Sequence, residues 1–312
     1  MDEKHVDDSV NTKSINEKLK SLDKESATVE YTGIWGKLIA ALCICFSLFQ
    51  IYTGFFGAFD AMIQRCVHLS FGISLVFLLC PTKKAWIRGG KVNPLDLGLA
   101  ILAAIPPIYI LVNYQSLILR AGTVTTTDFI IGLLGIVMVL EAARRIVGTS
   151  IVAVVILFLA YGYFGPYMPG PLAHRGLSME QMVSHLFFTT EGVFGIPLGV
   201  SSTFIFLFIL FGAYLEKTGL GKFFIDIANA IAGWASGGPA KVAVISSALQ
   251  GTISGSSVAN VVGSGSFTIP MMKKLGYKKD FAGAVEAAAS TGGQLMPPIM
   301  GAAAFLMAEF VG

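Results

Sequence analysis

Two stretches, GTISGSSVANVVGSGSFTIPMM from Gly251 to Met272 and STGGQLMPPIMG from Ser290 to Gly301, lie in apolar surroundings yet are rich in Gly, Ser, Thr, Asn and Pro. Their flanks are too apolar for ordinary loops, and their own residues too helix-weakening for continuous membrane helices. In hydrocarbon every backbone N–H and C=O must be paired. A break at that depth survives only where it is buried in protein or lines a cavity. The pattern therefore reads as broken backbone held at membrane depth around a place where something binds.

A cation stripped of water needs several oxygens at short range. Thr252, Ser254, Ser256, Ser257 and Asn260 offer them in the first piece, and Thr291, Gly292, Gly293 and Gln294 in the second. Unwound backbone turns carbonyls towards such a site as well. Neither piece holds a carboxylate, which favours a weakly held monovalent ion over a divalent one. An isolated pattern of small residues more often permits close helix packing. Here Gly251, Gly255, Gly263 and Gly265 alternate with hydroxyls, and the alternation favours binding.

The rest of the chain fits an all-α integral membrane protein. Of 312 residues, 54% are hydrophobic and only 13% charged, the profile of a multi-spanning membrane protein. A net charge of +3 gives no footing for nucleic acid. Cys43, Cys45, Cys66 and Cys80 sit in or beside apolar runs without metal-ligand spacing, as reduced packing residues do. Residues 1–32 mix eight acids with five lysines and read as a flexible cytoplasmic tail. They do not read as a signal peptide, because the apolar run begins too late.

Apolar runs of spanning length are expected at about 36–54, 62–80, 95–113, 128–144, 146–164 and 196–215. Spans four and five meet at Arg144 and Arg145, and could equally be one bent helix. With the amino terminus cytoplasmic, inner connections hold Lys83, Lys84, Arg88, Lys91, Arg144, Arg145, Lys217, Lys222, Lys241, Lys273, Lys274, Lys278 and Lys279. The outer connections hold only Arg65, Arg120 and Arg175. That asymmetry sets the orientation.

The outer connection from Gly165 to Gly195 is broken by prolines, but Ser178–Thr189 carries Met179, Met182, Val183, Leu186 and Phe187 at helical spacing. It suits a short helix at the outer interface. Phe223–Ala235 sets Asp226 and Asn229 against Phe224, Ile227 and Ile231, as an arm along the inner surface would. Lys241 on one side and Lys273 and Lys274 on the other make the intervening segment a re-entrant hairpin. From Lys279 a half-helix runs to Ser290, breaks at TGGQLMPP and resumes from Ile299, because Pro297 and Pro298 lack amide donors.

At this point the residues carry a family resemblance. EAARRIVG at 141–148, LFGAYLEKTGLG at 210–221, GGPAKVAV at 237–244, SGSSVANV at 254–261, FTIPMMKKLGY at 267–277 and AVEAAASTGGQLMPPIMGAAAFLMAEF at 284–310 together resemble the fused permease of a tripartite ATP-independent periplasmic (TRAP) transporter of the TAXI type. The resemblance implies a small-subunit-like part at 33–189 and the first part of the large transport subunit at 190–312. It also implies a hairpin and broken helix that form the first inverted repeat of an elevator. Complete fused permeases are considerably longer, so the expectation is an amino-terminal part that inserts without transporting alone.

The implied function is sodium-driven uptake of an organic acid across the inner membrane, delivered by an extracytoplasmic binding protein of the TAXI kind. Sodium is the only cofactor implied. Carried over by motif, the sodium site comprises Ser254, Gly255, Ser256, Ser257 and Asn260 with Thr291, Gly292, Gly293 and Pro297. Pro-Pro-Ile-Met stands where dicarboxylate relatives tend to show Pro-Pro-Ser, so a dicarboxylate substrate does not follow from the resemblance, and the substrate-binding residues are not assigned.

Two other readings are weighed beside this one. A passive channel would conduct without a binding protein. A membrane serine enzyme would use Ser256 or Ser257, but no His or Lys stands near either in sequence. Glu286, two turns from Lys279, reads as a structural side chain that snorkels or pairs near the interface; Glu309 has no assigned role. His5, His68, His174 and His185 read as satisfied or solvated, Trp35, Trp86 and Trp234 as interfacial, and Arg144 and Arg145 as orientation anchors.

Overall fold

The computed structural model describes residues 29, 31–82, 92–120 and 122–311, and every regular element among them is a helix. Residues 1–28 and 30 of the tail, the basic connection with Lys83, Lys84, Trp86, Arg88 and Lys91, residue 121 and Gly312 lie outside the described residues. The described chain divides between Ser202 and Thr203 into two compact units.

The first unit contains α1 (Gly33–Phe56), α2 (Ala61–Leu79), α3 (Pro94–Leu119), α4 (Thr126–Ile146), α5 (Thr149–Phe164) and the short α6 (Met179–Phe188). The next helix, α7 (Ile196–Lys217), crosses the unit boundary and is interrupted by a π turn at Ser201–Ile205. Among the described residues five helices are long and apolar enough to cross a membrane: α1, α2, α3, α5 with its 3-10 extension, and α7. The sequence leads one to expect six. The sixth, α4, brings Asp128 at one end and Glu141, Arg144 and Arg145 at the other. Gly148, at φ +109°, separates α4 from α5, a backbone state that side-chain-bearing residues rarely adopt. Spans four and five are thus separate helices.

Local chemistry explains the helix starts. Thr125 and Asp128 close a reciprocal capping box on α4, and Ser178 and Gln181 do the same on α6. α6 is the short helix expected between Ser178 and Thr189, and one of its faces packs on α4. Its Val183 and Phe187 are buried against α4, where Gly132 and Gly135 leave room for them.

Arg145 corrects the reading of the 144–145 pair as orientation anchors. Its side chain is 3% exposed and pairs with Asp96 at 2.8 Å and Glu141 at 3.0 Å. It also donates to Thr82 Oγ1 and the Cys80 carbonyl, and lies over the Phe77 ring. Only Arg144 is an exposed charge, on Glu141. His68 is buried, bonded to Gln50 and Ser201, and His174 meets the Tyr161 carbonyl. All four cysteines are free.

The second unit holds the remainder of α7, then α8 (Leu220–Ala232), α9 (Gly238–Ser254), α10 (Ser257–Lys274), α11 (Lys279–Thr291), a 3-10 turn at Gly292–Gln294, and α12 (Ala302–Val311). α8 is the amphipathic arm, shifted towards the amino terminus from its expected bounds, with Ala228 and Ala232 buried and Phe223 and Ile231 exposed. Contacts fix the directions of the next three helices. Ser247 meets Ser290, and Gly251 meets Gly293, so α9 and α11 run parallel. Asn260 meets Ser290, and Ser264 meets Glu286, so α10 runs opposite to α11. Hence α9 and α10 form an antiparallel helical hairpin.

Candidate functional site

The hairpin breaks over only two residues. Gly255 takes the left-handed conformation, φ +60°, and ends α9; Ser256 is extended, and its Oγ accepts the Ala259 amide to start α10. The expected longer unwinding of GTISGSSVAN is therefore corrected. The serines and threonines stay helical by bonding back to carbonyls of their own helix: Thr252 to Leu249, Ser264 to Asn260 and Ser266 to Gly263. Carbonyls so engaged do not converge on an ion. Any ion here must find its oxygens chiefly among side chains.

The second break begins one residue later than expected. α11 ends at Thr291, and the chain passes through the 3-10 turn and an irregular segment to Gly301 before α12 starts at Ala302. It is pinned to the hairpin tip: the Ile299 amide reaches the Thr252 carbonyl at 3.4 Å. A Cβ at Gly255 would fall 2.4 Å from the Met300 carbonyl oxygen.

The expected site residues separate into two groups. Asn260 is fully buried and donates Nδ2 to the Ser247 carbonyl at 2.8 Å and to Ser247 Oγ at 3.1 Å. Gly293 abuts Asn260 and Gly251 so closely that a side chain at either glycine would collide. Ser257 Oγ accepts from Gln294 Nε2 at 3.2 Å, Gly255 underlies Met300, and Gly292 opens the 3-10 turn. Ser254 and Ser256 stand at the tip, Ser254 Oγ being bonded to the Ser256 carbonyl. Thr291 and Pro297, by contrast, are exposed, and Thr291 Oγ1 bonds back to the Ala287 carbonyl.

Two buried acceptors have no partner within this unit: Asn260 Oδ1 and Gln250 Oε1. Buried polar atoms in proteins are nearly always bonded. Both are amide oxygens, a ligand type that hard cations take; Asn260, packed against Gly251 and Gly293 where hairpin and break meet, fits a sodium ion there, whereas Gln250 faces Gly221 and Gly263. Gln250 Nε2 faces Gly263, where a Cβ would lie 2.1 Å away; that small residue makes space for the glutamine.

Beside this pair lies a group that reading of the sequence misplaces. Glu286 does not snorkel to an interface: it is fully buried, with Ser264, Thr268 and Ser290 hydroxyls on its carboxyl. Gly265 leaves room for its side chain. Ser247, Ser264, Thr268 and Ser290 are likewise fully buried. The signal was present as spacing, since Asn260, Ser264 and Thr268 recur every fourth residue, as do Glu286 and Ser290. That period puts each set on one helix face.

Residues 134–312 match the family model described as Tripartite ATP-independent periplasmic transporter, DctM component; both breaks fall within that range. The C4-dicarboxylate TRAP transporter large permease protein DctM of Vibrio cholerae is 42% identical over 91 residues, 29% of this chain and 20% of that protein. Its Pseudomonas aeruginosa counterpart is 40% identical over 91 residues, 21% of its length. The isethionate TRAP transporter permease protein DctMQ of Oleidesulfovibrio alaskensis is 36% identical over 91 residues, 14% of its length. The aligned part thus spans about a fifth or less of these relatives. No solved structure matches the chain.

Proposed function

We propose, since this chain belongs to the DctM-component family of TRAP transporters, that it is membrane permease sequence of a sodium-driven importer of small organic anions. Its relatives are transporter permeases, and the chain is not an enzyme. The importer receives its substrate from an extracytoplasmic binding protein, and the resemblance of the motifs between 141 and 310 to fused permeases supports a partner of the TAXI kind. C4-dicarboxylate and isethionate, named for two relatives, share a small acidic anion; Pro-Pro-Ile-Met at 297–300 leaves the choice among such anions open.

In this reading the α9–α10 hairpin is re-entrant, and sodium binds between it and the α11 break. Asn260 Oδ1 is the central ligand, with the Ser257 hydroxyl and free carbonyls at the two breaks around it. Bound sodium ties the two pieces into one body, which moves as an elevator with its substrate. Each net charge carried inward gains about 2.3 kcal/mol per 100 mV of membrane potential, enough to drive accumulation.

The observation that carries the reading is the fully buried, unpartnered Asn260 Oδ1 at the contact of hairpin and break. The test is sodium-dependent uptake of candidate organic acids by the full-length transporter in proteoliposomes with its binding protein. Asn260→Ala is expected to raise the sodium concentration for half-maximal uptake about tenfold, equivalent to about 1.4 kcal/mol of lost ligation. Ser257→Ala, altering a hydroxyl at the rim, is expected to raise it less. Uptake with an unchanged sodium requirement in Asn260→Ala would remove the site, and uptake without sodium or binding protein would remove the mechanism.

A further inference from the structure

Around Glu286 there are more oxygen contacts than hydrogens to fill them. Ser264 Oγ lies 2.8 Å from the Asn260 carbonyl oxygen and also bonds Glu286 Oε1. Thr268 Oγ1 is divided in the same way, 3.0 Å from the Ser264 carbonyl and 2.5 Å from Glu286 Oε2. A hydroxyl carries one hydrogen, so two hydrogens face four acceptor contacts. An ionised Glu286 adds none, whereas a protonated Glu286 adds one.

Both protonation states fit the same heavy-atom positions. With the carboxylate ionised, the two hydroxyls turn to it and the helix carbonyls keep their amide partners. With the carboxyl protonated, its hydrogen goes to Thr268 or Ser264, and that hydroxyl turns back to its own helix. Among the described residues no lysine or arginine pairs with Glu286. The charged groups on the packed elements are Lys241 on α9, Lys273 and Lys274 on α10, Lys278 in the connection before α11, and Lys279 and Asp280 on α11. All are exposed, and Tyr277 in the α10–α11 connection is half-buried. The ion pairs found among the described residues all lie elsewhere.

A row of side chains joins this carboxyl to the hairpin site. Ser290 Oγ is 3.1 Å from Glu286 Oε1 and 3.0 Å from Ser247 Oγ, which in turn is 3.1 Å from Asn260 Nδ2. We propose that Glu286 is a proton-binding site and that its proton and a cation at Asn260 oppose one another. Like charges repel most strongly where water is excluded, and the Ser290 hydroxyl can turn to Glu286 or to Ser247. By linkage the effect is reciprocal: acidification weakens cation binding, and the cation expels the proton. The antagonism rests on the sodium reading given above; the proton site does not.

Two measurements test this. In pH-difference infrared spectra of the chain in lipid, which need no transport, a protonated-carboxyl carbonyl band is expected to grow on acidification. It should be missing from Glu286→Gln. In uptake by the complete transporter with its binding protein, the sodium requirement at pH 6 should exceed that at pH 8 by about fivefold, the lower end of allosteric couplings. In Glu286→Gln the two values should coincide. Should that variant fail to fold, Ser290→Ala keeps the acid: the band is expected to remain while the pH effect on sodium shrinks. A native spectrum without the band overturns the proton site, and a native sodium requirement that is flat with pH overturns the antagonism. Uptake indifferent to sodium sinks the cation reading instead, and leaves Glu286 to be decided by the spectra.

Discussion

A methyl group added at Gly251 would sit 2.6 Å from the Gly293 Cα, backbone against backbone, with no side chain to swing aside. Gly251→Ala is therefore expected to force the hairpin from the α11 break and to destabilise the protein by about 1–3 kcal/mol, as overpacking does. Gly283→Ala is the matched control, because nothing lies within 4 Å of its new Cβ and alanine favours a helix over glycine by up to about 1 kcal/mol. Thermal unfolding in detergent should lower the midpoint for the first and hold or raise it for the second; equal midpoints would show that the contact is not tight. The two neighbouring arginines differ as sharply. Arg145→Ala strands Asp96, 1% exposed, without its cation, at about 3–5 kcal/mol. Arg144→Ala removes a surface pair worth about 0.3–0.5 kcal/mol, so comparable losses of folded yield would contradict this partition. Sequence treated both as membrane anchors because charge counts are blind to depth. It set Asn260 and Gly293 on two sides of one expected site, since each stands at a polar break between apolar flanks, but it could not tell that Thr291 faces outward or that Glu286 faces in.

At the level of elements, length and apolarity were legible and interactions were not. The expected runs recover α1, α2, α5 and α7 to within about three residues, and α3 except for its last six, because crossing a bilayer demands a fixed length. The break between α9 and α10 was overestimated because composition counts every serine and threonine as helix-weakening. In the structure their hydroxyls bond back to the helix and let it continue. α6 shows the complementary error. Its spacing predicted the helix and its Ser178 start, but not its partner, which depends on Gly132 and Gly135 on α4. Phe187, fully buried there, is the anchor. Phe187→Ala is expected to cost about 3–5 kcal/mol through the lost burial and the cavity, and Gly135→Val to displace α6 by occupying the ring's place. Protease cleavage within 165–195 should speed up in both variants; unaltered cleavage would mean that α6 is held by something else.

For the whole molecule, the charge pattern and the helix directions make one joint statement that neither makes alone. Positive residues at both ends of the hairpin call for both ends to face the cytoplasm, and the antiparallel course of α9 and α10 brings them to the same end of the unit. A pair of full crossings with an outer loop would share that geometry, but α9 and α10 have only 17 and 18 residues, including Gly251, Gly263 and Gly265 and five serines or threonines from Ser246 to Ser257. Polar tips of that kind sit at mid-depth only when enclosed by protein. Single cysteines in a background lacking Cys43, Cys45, Cys66 and Cys80 separate the alternatives. Ser236→Cys, Leu275→Cys and Thr218→Cys replace exposed positions, and are expected to react with an impermeant thiol reagent only from the cytoplasmic side. Arg175→Cys, also exposed, should react only from outside. Ser256→Cys decides depth: in a re-entrant hairpin it is slow to label from outside and is protected further by sodium, whereas at the tip of a full crossing it labels from outside as fast as Arg175→Cys whatever the sodium concentration. The second result would move the two breaks away from mid-membrane and remove the reason for expecting a stripped cation there.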